Sequence, residues 1–187
     1  RLDEIFEGWK KYLNETSEGP AILLDLSPRI SKNQMLEVES LVDSFWPDVN
    51  KTWTWTSRGR GRVDRLALWI GCIAESEYPR RFVRIPSDPT QAPFIMLGGK
   101  AVDDDLEMAD TPSVQPKRGI YLSIVDSALV ESGLADTWLQ SLSLGDEYIW
   151  AQVTGRRPII YHQRRLEDND RQRTNLIPVS GRIVDFI

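Results

Sequence analysis

Residues 51 to 57 read Lys-Thr-Trp-Thr-Trp-Thr-Ser, an aromatic and a threonine in strict alternation. Successive side chains of an extended backbone point to opposite sides, so this period of two predicts a strand with one aromatic face. Such a strand needs sheet neighbours and a layer over its aromatic side. The flanking sequence offers candidates for both.

Upstream, Leu2, Ile5, Phe6, Trp9 and Leu13 recur at helical spacing over residues 2 to 14, within an N-terminal segment 1–18 that ends before Gly19-Pro20. The run Ala21 to Leu26, with Asp25 near its end, predicts a strand buried on both faces. Ser31 is positioned to cap a helix in which Met35, Leu36, Val38, Leu41, Val42 and Phe45 keep the 3.6 period up to Trp46-Pro47. After the aromatic strand, Arg58 to Arg62 (RGRGR) is too rich in glycine for an element interior, and Val63, Leu66, Ala67, Ile70, Ile73 and Ala74 suggest a helix from Val63 to Glu75. Arg81 to Ile85 and Pro93 to Leu97 are short strand candidates. Residues 98–117 hold the acidic cluster Asp103 to Asp110 and predict a long surface loop. Ile120 to Val125 predicts a strand ending at Asp126, followed by a helix from Ser127 to Leu142. Glu147 to Val153 and Pro158 to His162 suggest a hairpin, and Ile177 to Ile187 a closing edge. Strands alternating with helices imply an α/β fold: a layered, mostly parallel central sheet with helices on both faces.

At 187 residues the chain fits a single domain, 1–187, and its start at Arg1 rather than Met suggests an excerpt of a longer protein. One Cys and one His leave no disulfide framework and no His- or Cys-based metal centre, which favours a reducing, cytoplasmic setting. No apolar run is long enough to span a membrane. A net charge of −5 argues against a protein that coats nucleic acid, but it divides into basic stretches at 58–65 and 156–173 and the acidic one at 103–110.

Two constellations could carry chemistry. In ILLDLSPRIS (22–31) and SIVDS (123–127), Asp25, Ser27 and Asp126 leave strand ends, where carboxylates and hydroxyls suit a hard cation such as Mg2+. This segment resembles a degenerate von Willebrand factor A-like domain, in which a buried strand ends in Asp-x-Ser-x-Ser before an amphipathic helix. The resemblance implies a metal held by Asp25, Ser27 and Asp126, but Arg29 replaces the second serine of the motif and would oppose a cation. The simpler alternative is that Asp25 and Asp126 cap helices or receive arginines. No other cofactor is expected.

Arg58, Arg60, Arg62 and Arg65 beside Trp53 and Trp55 form the second constellation, combining guanidinium forks with aromatic rings as a nucleic-acid or nucleotide site does. No phosphate-loop motif accompanies them, and alternating tryptophans suit a core equally well. His162 has no nucleophile motif beside it and reads as a strand-end or surface histidine. Cys72 reads as a core thiol. The function expected from these residues is a non-catalytic protein-interaction or regulatory module of a larger intracellular protein, with a surface of Asp25, Ser27, Arg29, Arg58, Arg60, Arg62 and Asp126. Its partner would be another protein or another domain of the same chain, and no membrane. The competing expectation is a nucleic-acid or nucleotide-binding domain, conceivably an enzyme, using the Arg58 to Arg65 loop.

Overall fold

A computed structural model describes residues 1–13, 19–59, 61–99, 116–142, 144, 147–151, 157–167 and 175–185. The acidic cluster Asp103 to Asp110, Arg60 and Arg156 lie outside the described residues.

The chain opens with helix α1 (Leu2–Leu13), strand β1 (Ala21–Leu26) and helix α2 (Lys32–Phe45). Ser31 caps α2 in a reciprocal box, its hydroxyl accepting from Gln34 N–H while the Gln34 side chain accepts from Ser31 N–H. Phe6 of α1 is buried edge-on against Phe45 and Trp46, with ring centroids 5.6 and 5.2 Å away.

Strands β2 (Lys51–Arg58), β3 (Arg62–Gly71), β4 (Arg80–Ile85) and β5 (Phe94–Gly98) complete a five-stranded sheet in the order β1-β3-β2-β4-β5. Among the described residues, only the β2/β4 pair of this sheet is parallel. A second sheet, β7-β8-β6-β9, is antiparallel throughout and is built from β6 (Tyr121–Ile124), β7 (Tyr148–Ala151), β8 (Ile159–His162) and β9 (Val179–Arg182). Between β6 and β7 lie α3 (Ser127–Glu131) and α4 (Ala135–Gln140).

The expected layered, mostly parallel sheet is therefore overturned. The protein is a mixed α/β fold with two mostly antiparallel sheets. The cause is local. Most of the segment from Val63 to Glu75, expected to be helical, lies instead in β3, and the turn between β2 and β3 folds that strand back antiparallel along β2. Strands β1 and β2, joined through α2, do run in the same direction, since each is antiparallel to β3, but β3 is inserted between them. In β3, Leu66, Leu68 and Ile70 are buried at alternate positions. Ala67 and Trp69 on the opposite side are also apolar, so the segment satisfied a helical period as well as a strand period.

Strand β1 lies at an edge rather than being buried on both faces: Leu24 and Leu26 turn toward the core, while Leu23 and Asp25 are exposed. The inner face of the sheet carries Leu24, Leu68, Trp53, Trp55 and Phe82, and burial of each large apolar side chain stabilises the fold by about 1.5–3 kcal/mol. Helix α2 covers one part of that face, where Glu39 accepts from Trp53 Nε1 at 2.5 Å. Helix α3 packs on β2 and β3. The single helix expected from Ser127 to Leu142 is two short ones, divided at Gly133, whose φ is +74°. Cys72 follows β3 and is exposed, not part of the core. Among the described residues, no helix is long and apolar enough to cross a membrane.

Candidate functional site

The carboxyl ends of β2 and β4 lie side by side, with Ser57 opposite Arg84, and β6 delivers Asp126 to the same place. Asp126 Oδ2 accepts the Ser57 hydroxyl at 2.6 Å and Arg84 Nη1 at 3.3 Å, and Arg84 Nη1 also lies 3.3 Å from Ser57 Oγ. The other oxygen, Oδ1, caps α3 by accepting from Ala128 N–H at 2.8 Å and Leu129 N–H at 3.3 Å. All three side chains are buried. Burial, the dominant effect, pushes the Asp126 pKa up, and the Ser57 hydroxyl, the Arg84 guanidinium and the α3 amides pull it back. Arg84 Nε has no hydrogen-bond partner among the described residues.

The glycines of RGRGR belong to this junction. Gly59 C=O accepts from Arg84 Nη2, and Gly61 C=O accepts from Ser127 N–H at 2.9 Å. Gly61 has φ +70°, and a Cβ there would sit 3.3 Å from Asp126 Cα. Both glycines have positive φ, +51° at Gly59 and +70° at Gly61, and at Gly61 the backbone also lies close against the start of α3, reasons for glycine that need no phosphate.

A second polar group lies in the second sheet. Ser123 Oγ is 2.8 Å from His162 Nε2 and 2.8 Å from Ser180 Oγ, and His162 Nδ1 is 2.6 Å from the Arg164 carbonyl. A carbonyl can only accept, so the proton of the neutral ring sits on Nδ1 and Nε2 takes the Ser123 hydroxyl. Burial lowers the His162 pKa, opposed by the hydrogen bond to Arg164. His162 is a strand-end residue, as expected, but not a surface one: it is buried, and the Tyr121 ring stacks on it at 5.7 Å.

The expected metal ligands do not converge. Asp25 is exposed on the outer side of β1 and receives Arg65 at 3.5 Å; Ser27 Oγ accepts from Arg29 N–H at 3.3 Å; Asp126 is buried with Arg84 as its cation. The described residues contain no group of three His, Cys, Asp or Glu arranged to hold a metal. Trp53 and Trp55 are buried, so neither can stack on a base.

Asp25, Ser27, Arg29, Arg58, Arg62 and Arg65 are exposed together at one end of the first sheet, formed by the end of β1 and the β2–β3 turn. Arg58 reaches Asp64 at 3.3 Å and Arg65 reaches Asp25, so two acids offset two of the four described arginines.

Ser57 and Arg84 were missed in the sequence. Arg84 left one signal: in RRFVRI it occupies the same side of the strand as Phe82, an inward position where a charge requires a buried partner. No protein-family model, curated protein or solved structure matches the chain.

Proposed function

We propose that the chain is a non-catalytic interaction module, working in a reducing compartment within a larger protein, that docks an acidic segment of another protein or domain on the arginine-bearing end of its first sheet. The observation that carries this reading is the exposure of Arg29 after β1, Arg58 and Arg62 flanking the β2–β3 turn, and Arg65 in β3 beside Asp25. The β2–β3 turn beneath them is held by the buried Arg84–Asp126 pair, which supplies rigidity at the docking surface. The surface pairs Arg58–Asp64 and Arg65–Asp25 are each worth at most about 1 kcal/mol, so a partner carboxylate can replace the internal one. The polar groups that could activate a nucleophile, Ser57 with Asp126 and Ser123 with His162, are buried away from any substrate. An exposed, unbridged Cys72 suits a reducing compartment.

Nucleic-acid binding is the second reading, favoured by the same arginines and weakened by the burial of both tryptophans. Fluorescence anisotropy with a labelled oligoglutamate peptide and with a single-stranded oligonucleotide of equal charge separates the two. The peptide is expected to bind more tightly, and the triple variant R58E/R62E/R65E to weaken it by about tenfold or more, equivalent to 1.4 kcal/mol. Tighter binding of the oligonucleotide, with a steep loss on adding salt, would establish the second reading instead.

A further inference from the structure

Helix α1 has more apolar surface than the fold covers. Phe6 is buried and Leu2 and Leu13 pack against the core, but Ile5, Trp9 and Tyr12 form an adjoining stripe at i, i+4 and i+7 that is 52%, 60% and 56% exposed. The rings of Trp9 and Tyr12 already meet edge to face at 6.0 Å, which gives the stripe a fixed shape.

The free edge of the stripe is lined by Glu4, Gly8 and Lys11, again at i, i+4 and i+7. Gly8 has no intramolecular reason to be glycine: its φ is not in the left-handed region, and a Cβ added there meets nothing within 4 Å. Glycine inside a helix is unfavourable relative to alanine, so the position carries a cost that the single chain does not recover. A second helix crossing at Gly8 recovers it, because the missing Cβ lets two backbones approach.

The charges identify the second helix. Asp3 and Glu4 lie in the first turn of α1, Lys10 and Lys11 in the last. An antiparallel copy of the same helix, related by a two-fold axis at Gly8, sets Glu4 of each chain opposite Lys11 of the other and opposes the two helix dipoles favourably. Lys11 is lightly engaged within the chain, sitting over the Tyr12 ring at 4.6 Å. The acids Asp3, Glu4 and Glu7 disfavour the other surface an amphipathic helix can meet, an anionic bilayer.

We infer that α1 is a self-association surface, on which a second copy of this chain docks antiparallel through Ile5, Trp9 and Tyr12 and crosses at Gly8. A pair of helices this short lies at the small end of interface sizes, so the dimer is expected in the micromolar range.

Sedimentation velocity of the whole chain over a dilution series tests this. The chain is expected to pass from 21.4 kDa monomer to dimer as concentration rises. W9E and G8L should each weaken association about tenfold or more. Far-UV circular dichroism should report intact folds, since both positions face solvent, and G8L should melt no lower than the parent. E4K and K11E should each weaken association alone, and an equimolar mixture of the two should recover it through complementary pairs. A chain that stays monomeric up to its solubility limit overturns the inference, as does association indifferent to both G8L and W9E. A blue shift of tryptophan fluorescence on phosphatidylcholine/phosphatidylglycerol vesicles, abolished by W9E in a chain that does not dimerise, assigns the stripe to a bilayer and equally overturns it.

Discussion

Arg84 lies in β4 of the first sheet and Asp126 caps α3 just after β6 of the second, and removing either buried partner has a definite cost. In R84M the Asp126 carboxylate keeps Ser57 and the α3 amides but loses its cation, so urea unfolding should show a loss of about 3–5 kcal/mol. D126N should cost a comparable amount, because its amide oxygen can still cap α3 but Arg84 is left buried without a carboxylate. His162 gives a pH signature. Burial depresses its folded pKa below the ordinary 6.5, so the unfolded chain takes up a proton first as pH falls. The stability associated with neutral His162 is complete above the unfolded value and is lost as pH drops from 6.5 toward the depressed one. Asp126, whose pKa is raised mainly by burial, acts with the opposite sign and favours the folded state as pH falls through it. Urea midpoints measured from pH 8 to pH 5 should therefore decline through the histidine range in the parent and flatten in H162N.

At the scale of elements, the turns are where single substitutions discriminate. A Cβ at Gly71, where φ is +80°, would sit 1.6 Å from the Pro20 carbonyl oxygen, an overlap that only backbone movement relieves. At Gly61 it would sit 3.3 Å from Asp126, and at Gly59, with φ +51°, it would meet open space. Thermal melts should rank the alanine variants in that order: G71A the most damaging, G61A intermediate, and G59A at about 1 kcal/mol from backbone strain alone. S31A should cost about 1 kcal/mol through loss of the α2 capping box.

How far these elements were legible in the sequence follows from their physics. The α2 cap, the aromatic strand β2 and the β7–β8 pair were visible because a cap box, a period of two and closely spaced strand runs are local signals. Strand β3 was not, because Ala67 and Trp69 on its outer side hid the alternation of Leu66, Leu68 and Ile70. The arginine cluster at the sheet end could be seen as a run of residues. The Ser57–Arg84–Asp126 junction could not, since its members come from positions whose proximity depends on where β3 and β4 are inserted.

Across the whole molecule, the two faces of the first sheet are unequal. Leu68 on the inner face is fully buried, whereas Leu23, Ile95 and Leu97 on the outer face are half exposed. L68A should therefore lose about 2–5 kcal/mol in urea unfolding. I95T and L23K should each stay within about 0.5 kcal/mol of the parent.

The Ser57–Arg84–Asp126 junction also sets a sequence of events during synthesis. All five strands of the first sheet precede residue 99, so that sheet can pair while the second is still being made. Its inner end then presents Arg84 without a carboxylate, and the RGRGR carbonyl that receives Ser127 waits as well. Only when β6 and the first turn of α3 emerge do the guanidinium and the turn find their partners. A nascent chain arrested before Asp126 is thus expected to hold a paired but unlatched sheet, and one extended beyond α3 a latched one.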